Sequence, residues 1–255
     1  MSDPSSRNRA YVLRLWIPVL LFCTFVGVLV VLALTSGDPA RSGGVFVGLV
    51  FAALLIAGTR WRQKRRIGAM FRSEDPGPAL RAFETSLRRI PHGAHFAAAN
   101  SATILALYGR TEEGERILED VVWQGVPPLV QAQEPAARAV IAYVRGAVTE
   151  GLDHAVMAGQ QAALDPAFPG ATTAAVAFRT YRNLGMALAG RATPTTAEEL
   201  RGALTRLPLL GQILAAWGLA LIARGNGDAG ELRSMQDFVQ QRAPHLEPVL
   251  RSIAG

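Results

Sequence analysis

The chain has 255 residues, half of them hydrophobic, and a formal net charge of +6. Residues 1–75 contain ten Arg and Lys against four Asp and Glu, whereas residues 76–255 contain sixteen of each, so the positive excess lies in the first segment. The neutral second segment lacks the clustered basic residues that nucleic-acid binding requires, and we therefore exclude nucleic acid as a partner.

Two apolar stretches follow a polar tail, residues 1–14, which we expect to be disordered. Residues 15–34 and 43–59 contain no charged side chain, and the single cysteine, Cys23, lies in the first of them. As helices that rise 1.5 Å per residue, they would measure about 30 Å and about 25 Å, close to the ~30 Å of a membrane's hydrocarbon core. Residues 15–61 are therefore predicted to form a transmembrane helical hairpin.

Basic residues flank this hairpin on both sides, whereas its connecting loop has only Arg41, offset by Asp38. The flanking residues are Arg7, Arg9, Arg14, Arg60, Arg62, Lys64, Arg65 and Arg66. Because positive charge resists translocation, we expect an inner-membrane protein whose termini, juxtamembrane linker (62–75) and following domain are cytoplasmic. A cleaved signal peptide ending near Ala33 is the alternative, although its apolar region exceeds the usual ~7–15 residues.

A row of small residues, Gly44, Gly48 and Ala52, repeats every four positions in the second span. Such a row lets two helix backbones approach closely. We expect it to pack against the first span, and packing against a second copy, which would make a homo-oligomer, is the alternative.

Residues 76–255 show amphipathic helical segments separated by Gly and Pro, and no segment alternates with the period of two that a strand requires. We predict an all-α domain of four helical hairpins with one further helix at each end. Thr111 is expected to cap one helix, and Thr195/Glu198 and Thr196/Glu199 have capping-box spacing. The predicted helices cover 78–90, 94–108, 111–123, 135–146, 149–165, 172–189, 195–207, 209–224, 228–242 and 245–253.

Glycines mark the predicted turns inside the hairpins. Gly109, Gly146, Gly190 and Gly225 are separated by 37, 44 and 35 residues, which is the period of helical repeats. Each is expected to end a helix in the left-handed conformation. A second glycine follows five residues later in three hairpins, where it would leave room for close helix packing: Gly114, Gly151 and Gly230.

This pattern resembles the tetratricopeptide repeat (TPR) family, which places small residues seven before and five after the turn glycine. Ala102 with Gly114, Ala139 with Gly151 and Gly218 with Gly230 occupy these positions. Leu105, Leu118 and Leu221 fit bulky positions of the family, whereas Ala142, Ala155 and Ser234 depart from them. The resemblance implies an α-solenoid that binds other proteins.

No catalytic, cofactor or metal site is predicted. Residues 225–230 match G-x-G-x-x-G, but they follow a predicted helix and not the strand that a dinucleotide site requires. His92 and His95 lie three positions apart, but no cysteine or nearby acidic residue completes a metal-ligand set. We therefore expect no enzyme activity, no cofactor and no metal.

These observations predict a membrane-anchored scaffold or adaptor whose cytoplasmic TPR-like domain holds a protein partner. A structural subunit of an inner-membrane complex that oligomerises through its spans is the alternative, and an enzyme or cofactor-binding protein is a remote one. The resemblance implies that the first helix of each hairpin lines a concave face. That row is either a groove anchored by Tyr143 and Leu219 or buried core: Ala99, Thr103, Ala106, Ala136, Val140, Tyr143, Ala215, Leu219 and Ile222.

Overall fold

The computed structural model describes residues 68–69, 71–87, 90–168 and 170–254. The chain divides into two units, Met1–Arg66 and Ile67–Gly255. The predicted tail, membrane hairpin, Cys23 and the row Gly44, Gly48 and Ala52 lie outside the described residues, as does half of the linker 62–75. These predictions therefore stay predictions.

All regular secondary structure in the described ranges is helical, which confirms the all-α prediction for this part of the chain. The elements are α1 (Gly77–Leu87), α2 (Gly93–Leu107), α3 (Thr111–Glu119), α4 (Pro128–Gln131), α5 (Gln133–Val144), α6 (Val148–Ala163), α7 (Ala171–Leu188), α8 (Pro194–Arg206), α9 (Leu209–Asn226), α10 (Ala229–Arg242) and α11 (Glu247–Ala254).

The predicted hairpins are packed helix pairs: α2 with α3, α5 with α6, α7 with α8, and α9 with α10. Neighbouring pairs join through α2 against α5, α6 against α7, and α7 against α9. Among the described helices, α9 alone is long and apolar enough to cross a membrane, and most of it is buried by the helices around it.

Glycines end the first helix of each pair. Gly109, Gly146 and Gly190 have φ of 81°, 81° and 65°, as predicted. The prediction that Gly225 ends the last of these helices is wrong. Helix α9 continues to Asn226, and the left-handed residue that ends it is Gly227, with φ of 72°. Each turn is closed by the N–H of the residue after the glycine, which donates to a carbonyl five residues back, as Asp228 does to Ala223.

The prediction that the second glycine leaves room for close helix packing is confirmed in two hairpins. A Cβ on Gly114 would lie 3.0 Å from the carbonyl oxygen of Ala102, and one on Gly151 would lie 3.0 Å from that of Ala139. Gly230 has no such neighbour, since the nearest atom is a carboxylate oxygen of Asp228 at 3.4 Å. The shift of the last turn from Gly225 to Gly227 explains this difference.

Most predicted helix starts differ from the observed ones by one or two residues, and proline explains two of these differences. Pro194 begins α8, so the cap is Thr193, which forms a capping box with Thr196, and neither Thr195/Glu198 nor Thr196/Glu199 does so. Helix α5 begins two residues before Pro135. Proline is tolerated there because the N–H groups of a helix's first turn have no partner within the helix. The short helix α4 starts at Pro128. Thr111 lies inside α3 and its side chain does not cap it.

The predicted helix 111–123 is shorter in the structure because the chain turns back after Glu119. Trp123 is buried against this turn, and its indole N–H donates to the carbonyl of Leu118 at 2.9 Å. An aromatic side chain that seemed to extend α3 therefore closes the end of the helix.

The C-terminal helix α11 packs on α9 and α10 and also touches α2 of the first pair. The indole N–H of Trp217 donates to the hydroxyl of Ser252 at 3.0 Å, and Arg224 donates to the Ser252 carbonyl at 2.9 Å. In a simple solenoid each repeat touches only its neighbours. Here α11 links the last helix pair to the first.

Candidate protein-binding groove

The row predicted on the first helices lies in the core. Eight of its nine residues are at most 4% exposed, among them Tyr143 and Leu219, and only Ile222 is half-buried. The cause is coverage on several sides: α2 packs on α1, α3 and α5, and α9 packs on α7, α8, α10 and α11. The structure therefore supports the core alternative for this row and not the open groove.

Tyr143 holds three helices together. Its ring lies against Gly151 of α6, and its hydroxyl reaches Gly185 of α7 and donates to the carbonyl of Tyr181 at 3.1 Å. Burial raises the pKa of Tyr143 well above its ordinary value and raises that of Tyr181 to about 12. Tyr143 is thus an internal contact that no external partner can reach.

An open groove of about 730 Å³ runs between α6 and α7. Its sides are mostly small apolar residues, because both helices are rich in alanine, and buried Phe178 contributes to the lining. Gly159 lies in the groove, and a Cβ placed on it would have no atom within 4 Å. Small side chains on two adjoining helices therefore leave a trough.

Exposed apolar side chains concentrate on α6, one of the two helices that form the groove. Of the four large hydrophobic residues that are exposed in the described ranges, three lie in α6 or directly after it: Val156 at 42%, Met157 at 46% and Leu164 at 74%. Of these three, Val156 lines the groove. Exposed apolar side chains grouped on one element are typical of interaction surfaces.

Two arginines of α7, Arg179 and Arg182, are the charged residues that line this groove. Both side chains are about half exposed, and both face the carboxylate of Glu199 on α8, at 3.7 Å and 4.0 Å. Glu199 is held in place by buried Asn183, whose amide donates to it at 2.6 Å. One carboxylate is therefore shared by two guanidinium groups.

The two histidines singled out from the sequence meet an aromatic residue and not a metal-ligand set. The rings of His92 and His95 are 5.8 Å apart, and His95 lies edge-on to Trp123 at 5.3 Å. Burial and the neighbouring His95 lower the pKa of His92. Among the described residues, no group of three or more His, Cys, Asp or Glu is placed to hold a metal ion.

The G-x-G-x-x-G match at residues 225–230 is part of the α9–α10 turn. The 18-residue helix α9 runs into it and ends at Asn226, so the match lies at a helix–helix turn, as predicted. Sequence reasoning missed the α6–α7 groove. Its signal was the unbroken apolar run Ala155, Val156 and Met157, since one helical face cannot bury all three.

Comparison with protein-family models, with curated proteins and with solved structures finds no match for this chain. A functional conclusion therefore rests on the groove and on the sequence around it.

Proposed function

We propose that this chain is a membrane-anchored scaffold whose helical domain binds a protein partner in the α6–α7 groove. The observation that carries the proposal is an open, mainly apolar trough lined by exposed Val156, on a helix where Met157 and, directly after it, Leu164 are exposed as well. Burying such a surface against a partner is favourable by roughly 25 cal/mol for each Å² removed from water.

The domain is, on this proposal, a TPR-like repeat array closed by its last helix. Three observations support it: glycine turns of one geometry, separations of 37, 44 and 37 residues between Gly109, Gly146, Gly190 and Gly227, and the close pairs Ala102–Gly114 and Ala139–Gly151. Arrays of this kind hold partners on surfaces built from adjacent repeats. The α6–α7 groove has that position, since it lies between the second and third helix pairs.

The shape of the groove suits a helix better than a small molecule. It is an open trough along two neighbouring helices, and its lining is mainly apolar, with Gln160, Thr172 and the two arginines as its polar residues. An amphipathic helix of a partner can bury its apolar stripe there, which is the helix-in-groove mode of recognition. The partner is therefore proposed to present a helical segment.

Membrane anchoring is supported by the uncharged stretches 15–34 and 43–59 and by the basic residues around them. We predict that protease added to intact spheroplasts leaves residues 76–255 undigested, whereas the same protease digests them in inverted membrane vesicles. Immunoblotting with an antibody against the domain reads out both results. Digestion from the outside of spheroplasts would contradict the cytoplasmic placement.

Photo-crosslinking tests the groove directly. A photoreactive amino acid at Val156, inside the groove, is expected to give a discrete protein adduct in living cells, which mass spectrometry identifies. The matched control is Val122, which is 77% exposed and lies after α3, outside the groove. The proposal requires an adduct at Val156 that Val122 does not form, and equal patterns from both positions argue against a specific groove.

A further inference from the structure

The α6–α7 groove has two different ends. Helices α6 and α7 follow each other through the short turn 164–170, so the start of α7 lies beside the end of α6. Ala162, Ala163 and Ala171 line the end near the turn, whereas Arg179 and Arg182 line the end away from it. A ligand in the groove therefore meets a mainly apolar surface, in which Gln160 and Thr172 are the uncharged polar residues, and positive charge at one end.

The positive charge at this end is incompletely neutralised. Arg179 and Arg182 lie 3.7 Å and 4.0 Å from the carboxylate of Glu199, longer than the ~2.7–2.9 Å of a charge-assisted hydrogen bond. The adjoining part of α8 adds Glu198 and Arg206, which line a smaller cavity that also includes Arg179. Arg179 and Arg182 thus share the single carboxylate of Glu199, which leaves a net positive charge among these three side chains.

We propose that the partner helix carries acidic side chains beside its apolar stripe, positioned to pair with Arg179 and Arg182. This inference rests on the proposed function. Both arginine side chains are about half exposed, so a carboxylate can approach them while Asn183 keeps its hydrogen bond to Glu199. The planar fork of arginine matches a carboxylate in a two-point contact. The two arginines would repel a basic helix, so they favour acidic over basic amphipathic helices as partners.

The test is a phage-displayed library of amphipathic helices with a fixed leucine stripe and randomised polar positions. The library is selected on the purified 255-residue chain in detergent, and binders that also bind the Gly159→Leu variant are discarded. Leucine at this position places a bulky side chain in the trough, and its Cβ has no neighbour within 4 Å. We expect the remaining binders to be enriched in Asp and Glu at one end of the helix.

Charge removal then identifies the contact. The enriched peptides should bind the Arg179→Gln/Arg182→Gln variant roughly tenfold more weakly, as two exposed charge contacts predict. Replacing their acidic residues by Gln should have the same effect on the original chain and no further effect on that variant. An unchanged thermal melting curve of the variant shows that the loss of binding is not a loss of fold.

The outcomes separate this inference from the proposed function. Groove-dependent peptides that are neutral or basic overturn the acidic partner and leave the groove as a binding site. A selection that yields no groove-dependent peptide counts against both. Phosphatidylglycerol vesicles that bind through Arg179 and Arg182, while no acidic peptide is enriched, assign the arginines to lipid headgroups and overturn the inference.

Discussion

Replacing Leu219 by arginine is expected to unfold the helical domain. Leu219 has no exposed surface and packs in a cluster of α8 and α9 that includes Leu200 and Ala215. A buried charge without a partner costs several kcal/mol, which is a large share of the ~5–15 kcal/mol by which a typical domain is stable. Far-ultraviolet circular dichroism of the purified chain should show a loss of helical signal and of cooperative melting.

The control for this change is Val122→Arg, which places the same charge on an exposed side chain and should leave melting unchanged. A Leu219→Arg chain that melts cooperatively near the temperature of the original would contradict the buried position of Leu219. That result would instead support the alternative that the row on the first helices is an open groove.

Replacing Gly185 by alanine is expected to cost about 1–3 kcal/mol of the free energy of unfolding, as overpacking does in other cores. The new methyl group would meet the hydroxyl of Tyr143, and it would lie 2.7 Å from a methyl carbon of Leu152. Both neighbours come from other helices, so α7 cannot relieve the contact alone. Urea denaturation of the two chains measures the difference.

The matched control is Gly202→Ala in α8, where a Cβ would have no atom within 4 Å. Alanine there should stabilise the chain by roughly 0.5–1 kcal/mol, the usual gain over glycine within a helix. A second variant, Tyr143→Phe, removes the hydroxyl and should reduce the penalty of Gly185→Ala. Equal effects of Gly185→Ala and Gly202→Ala would show that Tyr143 does not hold α7 in this way.

The helix pairs were predictable because their signals are local. A left-handed glycine ends a helix wherever it occurs, and Gly109, Gly146 and Gly190 do so. The last turn was misplaced because Gly225 and Gly227 both offer that conformation, and local sequence does not decide between them. Pro128 and Pro194 each begin a helix, whereas the prediction left both outside helices and started a helix at Pro135, which lies at the third position of α5.

The groove was not predictable in the same way. Whether a helical face is core or surface depends on which helices cover it, and that is a tertiary property. Leu219 and Val156 are both apolar residues within helices, yet the first is covered on all sides and the second faces open space. The glycines show the same dependence, since Gly185 has no room for a methyl group and Gly159 has room for one.

The most direct test of the groove as the partner-binding site compares Gly159→Leu with Gly225→Leu. Both glycines are helical and have open space around a Cβ, but only Gly159 lies in the groove. The measurement is the amount of the partner identified at Val156 that co-purifies with each variant from membranes. We predict that Gly159→Leu loses the partner and melts like the original chain, while Gly225→Leu retains it. Full retention of the partner by Gly159→Leu would contradict binding in the α6–α7 groove.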